Sequence, residues 1–373
     1  MEARTSAKTE GTGRLTDAAG RRVTLLTLAR DLGVSRATVS NAYNRPDQLG
    51  AELRERILDR ARELGFAGPD PVGRALRRQR VGAVGVLMHE PLAYAFADPA
   101  SVLILDGLAS KLGPEGFALT LLAAGDGKRP DPRIVADAVV DAFVVHSIGA
   151  GHPFVSAAAE RGLPMVVLDQ PVLPGVPRVG IGDSGGAQAA MAHLLSLGHR
   201  RVAVLSLPIL ADGATGPASQ ERQAASTYPV TAARLRGAAD AVTAGGLHWA
   251  NVAVCECPRN DLQMAVTAAT GLLTAANPPT AILALSDQLA LGALHAARAL
   301  GLAVPARLSV TGFDDIPAAA VADPPLTTIR QPLRERGRAI GTLLAALIAG
   351  DAAVPPVTEF ATELVVRAST APP

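Results

Sequence analysis

LLTLARDLGVSRATVSNAYN, residues 25 to 44, has the apolar spacing of two short helices that meet at a tight turn. With Leu25 as position one, Leu28, Ala29, Leu32, Val34, Val39 and Ala42 fall at 4, 5, 8, 10, 15 and 18. Those are the inward-facing places of a helix-turn-helix. Gly33 stands at position 9, where the turn demands a positive φ that glycine adopts freely. Ala29 is small where the helices touch, and Ser35 is a good N-cap for the second. Arg36, Ala37, Thr38, Ser40 and Asn41 stay outward on that helix, all short or polar and none a carboxylate. A plain amphipathic hairpin would also bury leucines at helical spacing. It has no need of a glycine and a small residue at these two places together, so the window predicts a DNA-reading element.

Downstream, Ala51 to Leu64 carries Leu53, Ile57, Leu58, Ala61 and Leu64 at helical spacing and ends at Gly65, a C-cap position. This third helix closes a small core over the first two. Residues 67–71 (AGPDP) read as a linker, and Val72 to Arg80 follows, basic, short and with Leu76 as its large apolar group. It reads either as a solvated charged linker or as a segment that folds on DNA and wedges Leu76 into the minor groove. The expected organisation is a flexible tail over 1–22, an all-α head over 23–68, a hinge over 69–80 and a body over 81–373.

Composition agrees with that division. Charged residues are 18% and apolar residues 49%, which suits a folded chain long enough for two or three domains. Residues 1–80 hold 16 Lys/Arg against 10 Asp/Glu, whereas the rest hold 19 against 24. A basic head on a mildly acidic body fits one polyanion-binding module beside one of another kind. Cys255 and Cys257 share a strand face but lack further ligands nearby, so buried thiols in a reducing cytosol are expected, with no metal and no cofactor. No apolar run reaches the ~18 residues of a membrane span, and the polar first 22 residues do not read as a signal peptide. A cytoplasmic protein is expected.

From Val81 the chain alternates short apolar runs with helical patterns. The runs include Gly82–Met88, Ala118–Ala123, Ala142–His146, Met165–Leu168, Val179–Ile181, Val202–Leu205, Ala281–Leu285 and Leu308–Gly312. Such alternation predicts parallel α/β sheets covered on both faces. The units are too many for one modest sheet, so two lobes are expected: one about 81–198 and 331–350, the other about 199–326 and 357–368. Ligands in such folds bind beyond the carboxyl ends of strands, which makes the inter-lobe cleft the natural pocket. Residues 208–230, rich in Gly, Ala, Ser and Pro, are expected to be a flexible loop.

The ordered series Val23-Thr24-Leu25, Gly33-Val34-Ser35, Thr38-Val39-Ser40, Val72…Leu76, Gly180-Ile181-Gly182-Asp183, Leu197-Gly198-His199-Arg200-Arg201-Val202, Ser286-Asp287-Gln288, Ser309-Val310-Thr311-Gly312-Phe313-Asp314-Asp315 and Pro325-Leu326-Thr327-Thr328-Ile329 resembles the LacI/GalR family of transcription regulators over residues 23 to about 368. The resemblance implies a homodimer or dimer of dimers on a two-fold symmetric operator, with a two-lobed, periplasmic-binding-protein-like body that senses a small molecule. No leucine heptad follows Arg367, which favours the dimer. Arg36, Ala37 and Asn41 would meet base edges. Thr24, Ser35, Thr38, Ser40 and Asn44 would position phosphates, and Leu76 would be the minor-groove wedge. Asp183, Arg234 and Asp287 match family positions in the effector cleft, where opposite charges suit a polyhydroxylated, sugar-like ligand. His89 and His146 end apolar runs and point toward the cleft mouth, while Tyr94, Phe96 and Phe313 are ring-stacking candidates. The family's usual Asp-Asn is Asp183-Ser184 here, and the 208–230 stretch is long for the family.

Two strings imitate enzymes. Gly180-Ile181-Gly182-Asp183-Ser184-Gly185 fits GxGxxG, yet the acidic residue wanted ~20 positions on falls in the apolar run at Val202–Leu205. Gly182-Asp183-Ser184-Gly185-Gly186 copies the serine-protease nucleophile string, but no earlier His and Asp pair can be assembled for it. No catalytic residues are expected. The competing readings are a sugar- or nucleoside-binding protein without a DNA role, and an α/β enzyme with an appended DNA module.

Overall fold

The computed structural model describes residues 23–66, 68, 80–124, 130–149, 151–351 and 353–373. The expected tail over 1–22, nearly all of the hinge and Leu76 lie outside the described residues. The chain divides into two compact units at Val81/Gly82.

In the first unit, α1 (Leu25–Leu32), α2 (Arg36–Asn44) and α3 (Ala51–Glu63) enclose Leu28, Ala29, Val39, Ala42, Ile57 and Ala61. Thr24 caps α1, its hydroxyl accepting from the Thr27 N–H while the Thr27 hydroxyl accepts from the Thr24 N–H. Two otherwise unsatisfied helix-end donors are thus met by side chains. Gly33 ends α1 at φ 66°, the left-handed geometry its position demanded.

The second unit holds two sheets. The first orders β1 (Ala83–Met88), β2 (Ala118–Ala123), β3 (Ala142–His146), β4 (Met165–Leu168), β5 (Arg178–Ile181) and β12 (Val357–Phe360) as β12-β5-β4-β3-β1-β2, all parallel. The second contains β6 (Val202–Ser206), β7 (Gly216–Pro217), β8 (Ala253–Glu256), β9 (Ala281–Ala284), β10 (Ser309–Asp314), β11 (Thr327–Arg330) and β13 (Glu363–Val365), in the order β13-β11-β10-β9-β6-β8-β7. Its two edge pairings, β11 with β13 and β7 with β8, are antiparallel. The central strands are buried on both faces, which is why they read as unbroken apolar runs. The helices in chain order are α4 (Leu92–Ala97), α5 (Pro99–Leu112), α6 (Arg133–Ala136), α7 (Pro153–Glu160), α8 (Asp183–Ser196), α9 (Gln220–Ala224), α10 (Pro229–Ala244), α11 (Leu262–Leu273), α12 (Asp287–Ala299), α13 (Pro317–Val321) and α14 (Leu333–Ile348).

The chain passes between lobes three times, and two passages differ from the expectation. Helix α8, expected in the first lobe, packs on α10 and the second sheet. Gly186 lies against Phe313 and Ile329 of the second sheet, and Gly237 on α10 backs onto the Ser184 main chain, so α8 seats closely on both. Residues 357–360 are expected in the second lobe. They pair instead with β5 in the first sheet, and only β13 reaches the second. Helix α14 packs on α5 and the first sheet. Residues 208–230 also differ from a flexible loop: they hold β7 and α9. Arg222 donates to Asp212 at 2.7 Å and to the buried Glu256 at 2.6 Å, and Glu256 also accepts from the Ile209 N–H at 2.6 Å. An ion-pair knot orders this stretch, a device without hydrophobic periodicity.

Candidate functional site

Helix α2 presents the candidate DNA-reading surface. Ser35 caps it, accepting from the Thr38 N–H at 3.0 Å, and the two hydroxyls lie 2.8 Å apart. Asn44 turns back along the helix, its Nδ2 donating to the Ser40 carbonyl at 2.9 Å. Ser35, Thr38, Ser40 and Asn44 therefore shape α2 before any phosphate is near, and Thr24 does the same for α1. Val39 and Ala42 are buried beneath, whereas Arg36 and Ala37 are exposed and Asn41 is half-exposed. The side chains left outward are those that suit base edges.

In the second unit a cavity of about 700 Å³ opens between the two lobes. From the first lobe come the turns after β1, β3 and β4, which bring His89 and Glu90, His146 and Ser147, and Gln170. Met88 pairs with His146 in the β1–β3 register, so the two histidines issue from neighbouring strand ends. Tyr94 and Asp98 follow from α4 and the start of α5. The second lobe supplies Leu210, Tyr228, Thr231, Arg259 and Asn260. The lobes also touch here: the Tyr94 hydroxyl donates to the Asn260 carbonyl at 3.0 Å, and Gln170 Oε1 accepts from the Val230 N–H at 2.9 Å.

The electrostatics follow from burial. His89 Nδ1 and His146 Nε2 are buried without a hydrogen-bond partner among the described residues, and burial lowers both pKa values below the usual histidine range. His152, whose ring meets that of His89 edge-on at 5.2 Å, is lowered to about 4 by burial and by His89. Burial raises Glu90, an effect Arg259 opposes. Tyr94 lies well above the ordinary phenol value through burial and the nearby Asp98 and Glu90 carboxylates.

Other sequence-derived candidates sit elsewhere. Phe96 is 67% exposed and does not line the cavity, being on the outer side of a six-residue helix. Arg234, Asp287 and Phe313 are buried and Asp183 is half-buried, and none of the four is among the residues that line the cavity. Arg234 Nε donates to Asp183 at 2.7 Å and Nη1 to the Leu285 carbonyl at 2.6 Å, and its guanidinium lies 3.7 Å from the Phe313 ring centroid. Asp287 accepts from the Ile316 N–H at 2.9 Å and from the Thr328 hydroxyl at 2.5 Å, so both of its oxygens are engaged in holding the fold. Sequence reasoning missed Glu90, Asp98, Gln170, Tyr228 and Asn260. Glu90 and Gln170 stand two residues beyond apolar runs, so the strand-end rule applied to every run would have found them.

Among the described residues no helix is long and apolar enough to cross a membrane, and no group of three His, Cys, Asp or Glu side chains could hold a metal ion. A model of the periplasmic binding protein-like domain matches residues 191–370. An HTH-type transcriptional regulator of Mycobacterium tuberculosis is 40% identical over 356 residues, 95% of this chain and 98% of that protein. Among solved structures, a complex of the transcriptional regulator CelR with cellobiose has TM-score 0.67 at 29% identity, covering 93% of this chain and all of that one. The lac repressor dimer bound to operator and the anti-inducer ONPF has TM-score 0.74 at 25% identity, covering 94% and 99%. The likeness runs through both the helix-turn-helix unit and the two-lobed unit, and the chain belongs to the LacI/GalR family of helix-turn-helix transcriptional regulators.

Proposed function

We propose that this regulator binds a two-fold symmetric operator as a homodimer, most simply as a repressor in the cytoplasm, and that a small sugar-like molecule in the inter-lobe cleft changes its DNA affinity. The observation that carries the reading is the coexistence, in one chain, of a capped α2 with Arg36, Ala37 and Asn41 outward and a polar cleft between two lobes. Arg36 is assigned to a guanine edge, Ala37 to a thymine methyl and Asn41 to a base edge or phosphate. Thr24, Ser35, Thr38, Ser40 and Asn44 are assigned to the backbone, and Leu76 to a central base step. The cellobiose-bound and operator-bound relatives support a sugar-like effector and a dimer. Leu92 and Phe96, one turn apart on α4, are 47% and 67% exposed, and Val102 on α5 is 39% exposed, which supports a self-association face.

Selection of binding sites from randomised duplex DNA by the full chain tests the reading. Enrichment of a palindrome whose affinity shifts when a sugar is added is the expected result; enrichment of no sequence would refute it. Leu76→Ala is expected to weaken binding to the selected site far more than to random DNA, and equal losses would remove the wedge from the scheme.

A further inference from the structure

Where the head ends, the chain is steered by a ring on the DNA-reading helix. Helix α3 closes with two bonds that turn the main chain back on itself. The Gly65 N–H donates to the Arg62 carbonyl at 3.0 Å and the Phe66 N–H to the Ala61 carbonyl at 2.8 Å, with Gly65 at φ 66°. This glycine-ended turn delivers Phe66 to Tyr43, which stands on α2 one place after the buried Ala42. The two rings meet edge-on, with 6.1 Å between centroids and 85° between planes, an arrangement that aromatic pairs favour. Two residues later the backbone passes against the same ring: a Cβ at Gly68 would lie 3.3 Å from Tyr43 Cε1 and 3.5 Å from Cδ1.

Gly68 has φ 109°, a backbone geometry that glycine alone adopts without strain. No main-chain hydrogen bond among the described residues holds it, and the Tyr43 ring is the neighbour that limits its place. Tyr43 is half-buried, and its hydroxyl takes part in neither contact. The helix that presents Arg36, Ala37 and Asn41 outward therefore also carries the surface against which the chain leaves the head. The orientation of α2 and the position of Gly68 are one rigid relation.

Resting on the two-fold operator reading above, we propose that Tyr43 is a positioning residue: it locks the chain exit at Phe66–Gly68 to the DNA-reading helix and so sets the half-site spacing that two heads accept. Half-site spacing is a geometric consequence of how two reading helices are held. With the ring in place, the tether beyond Gly68 starts from a fixed point relative to α2. A tether whose start is already ordered loses less freedom when both heads bind. Without the ring each head still reads its half-site, but the pair tolerates other separations.

Selection by the full chain from duplexes whose half-sites are separated by spacers of varied length tests this. The native chain is expected to enrich a single spacer length. Tyr43→Ala is expected to keep the half-site sequence and to accept neighbouring lengths as well. It is expected to bind the native spacing about three- to tenfold more weakly, with random-duplex affinity within about twofold of native. Tyr43→Phe restores the ring and is expected to match the native chain, salt dependence included. Gly68→Ala, outside the three helices, is the second variant should Tyr43→Ala fail to fold, and the same widening is expected of it. A Tyr43→Ala chain that keeps a single spacer length, or that loses operator and random-duplex affinity equally, would overturn the proposal. A salt slope lowered by about one in Tyr43→Phe would overturn it too, because the hydroxyl would then be holding a phosphate. Hydrogen exchange of the DNA-free chain reads the positioning role without an operator. The Phe66 N–H is expected to exchange at least about threefold faster in Tyr43→Ala, relative to the amides of α1, and unchanged exchange would refute the role. Failure of the native chain to enrich any paired half-sites would remove the operator reading instead, and the exchange result would decide the positioning role by itself.

Discussion

Arg36 and His152 illustrate how single side chains carry the two halves of the molecule. Arg36 is exposed at the first position of α2, so its guanidinium is open to solvent. A bidentate bond to guanine O6 and N7 is worth about 1–3 kcal/mol of discrimination. Arg36→Ala is therefore expected to weaken operator binding by about that much and to relax one base position per half-site, read from binding-site selection repeated with the variant. His152 caps α7 through a neutral imidazole, and its folded pKa is held near 4, below the ordinary histidine value. The unfolded chain takes up this proton first as pH falls, so the stabilisation is present above about pH 6.5 and is lost on the way down to about pH 4. The full effect has an upper bound of roughly 3 kcal/mol. His152→Asn keeps a capping oxygen and removes the titration. It is expected to flatten the fall of melting temperature between pH 6.5 and 4, and an undiminished slope would show that other groups carry it.

Helices α5 and α14 meet through glycines, and that crossing is where an element depends on one missing methyl group. A Cβ at Gly107 would strike the Arg334 carbonyl, and one at Gly337 would strike the Ile104 carbonyl. Both obstacles are backbone, which yields only if the helices separate. Gly337→Ala is expected to destabilise the protein by about 1–3 kcal/mol despite the better helix propensity of alanine, measured by denaturant unfolding. An unchanged midpoint would mean the crossing tolerates a wider spacing. The central parallel strands were legible in the sequence because burial on both faces makes each an unbroken apolar run. The capped helix-turn-helix was legible because Thr24, Gly33 and Ser35 act locally. Edge strands β7, β12 and β13 were not, since a few half-exposed residues carry no period and their pairing partners lie far along the chain. The same holds for α9, which Arg222, Asp212 and Glu256 fix through non-local charge. In the cleft, His89, Tyr94 and His146 were readable from their places at or after apolar runs. Tyr228 was hidden in a stretch that looks like a loop, and Phe96 shows that an aromatic near a strand end need not face the cavity.

Across the whole molecule, one buried polar chain ties the two lobes together at the crossings. Asp169, just beyond β4, pairs with Arg336 on α14, which also binds Gln331. Gln331 Nε2 donates to Asp314 at 2.5 Å, Asp314 lies 3.9 Å from Arg234 on α10, and Arg234 pairs with Asp183 at the start of α8. The chain thus runs from the first sheet to the second through two of the three crossing segments. Arg336 is 1% exposed and Asp314 5%, so the charges are desolvated and depend on one another. Burial raises the Asp314 pKa to about 7 even with Arg234 nearby. Breaking a buried pair by removing one partner costs about 3–5 kcal/mol because the other charge is stranded. Arg336→Met preserves much of the side-chain volume and strands Asp169, so a loss of that size is expected. Asp169→Asn added to Arg336→Met removes the stranded charge and is expected to restore part of it. If the network works as a unit, the two losses are strongly non-additive in a double-mutant cycle. Additive losses would mean that Arg336 and Asp169 pack independently, and that the lobes are joined by their backbone crossings alone.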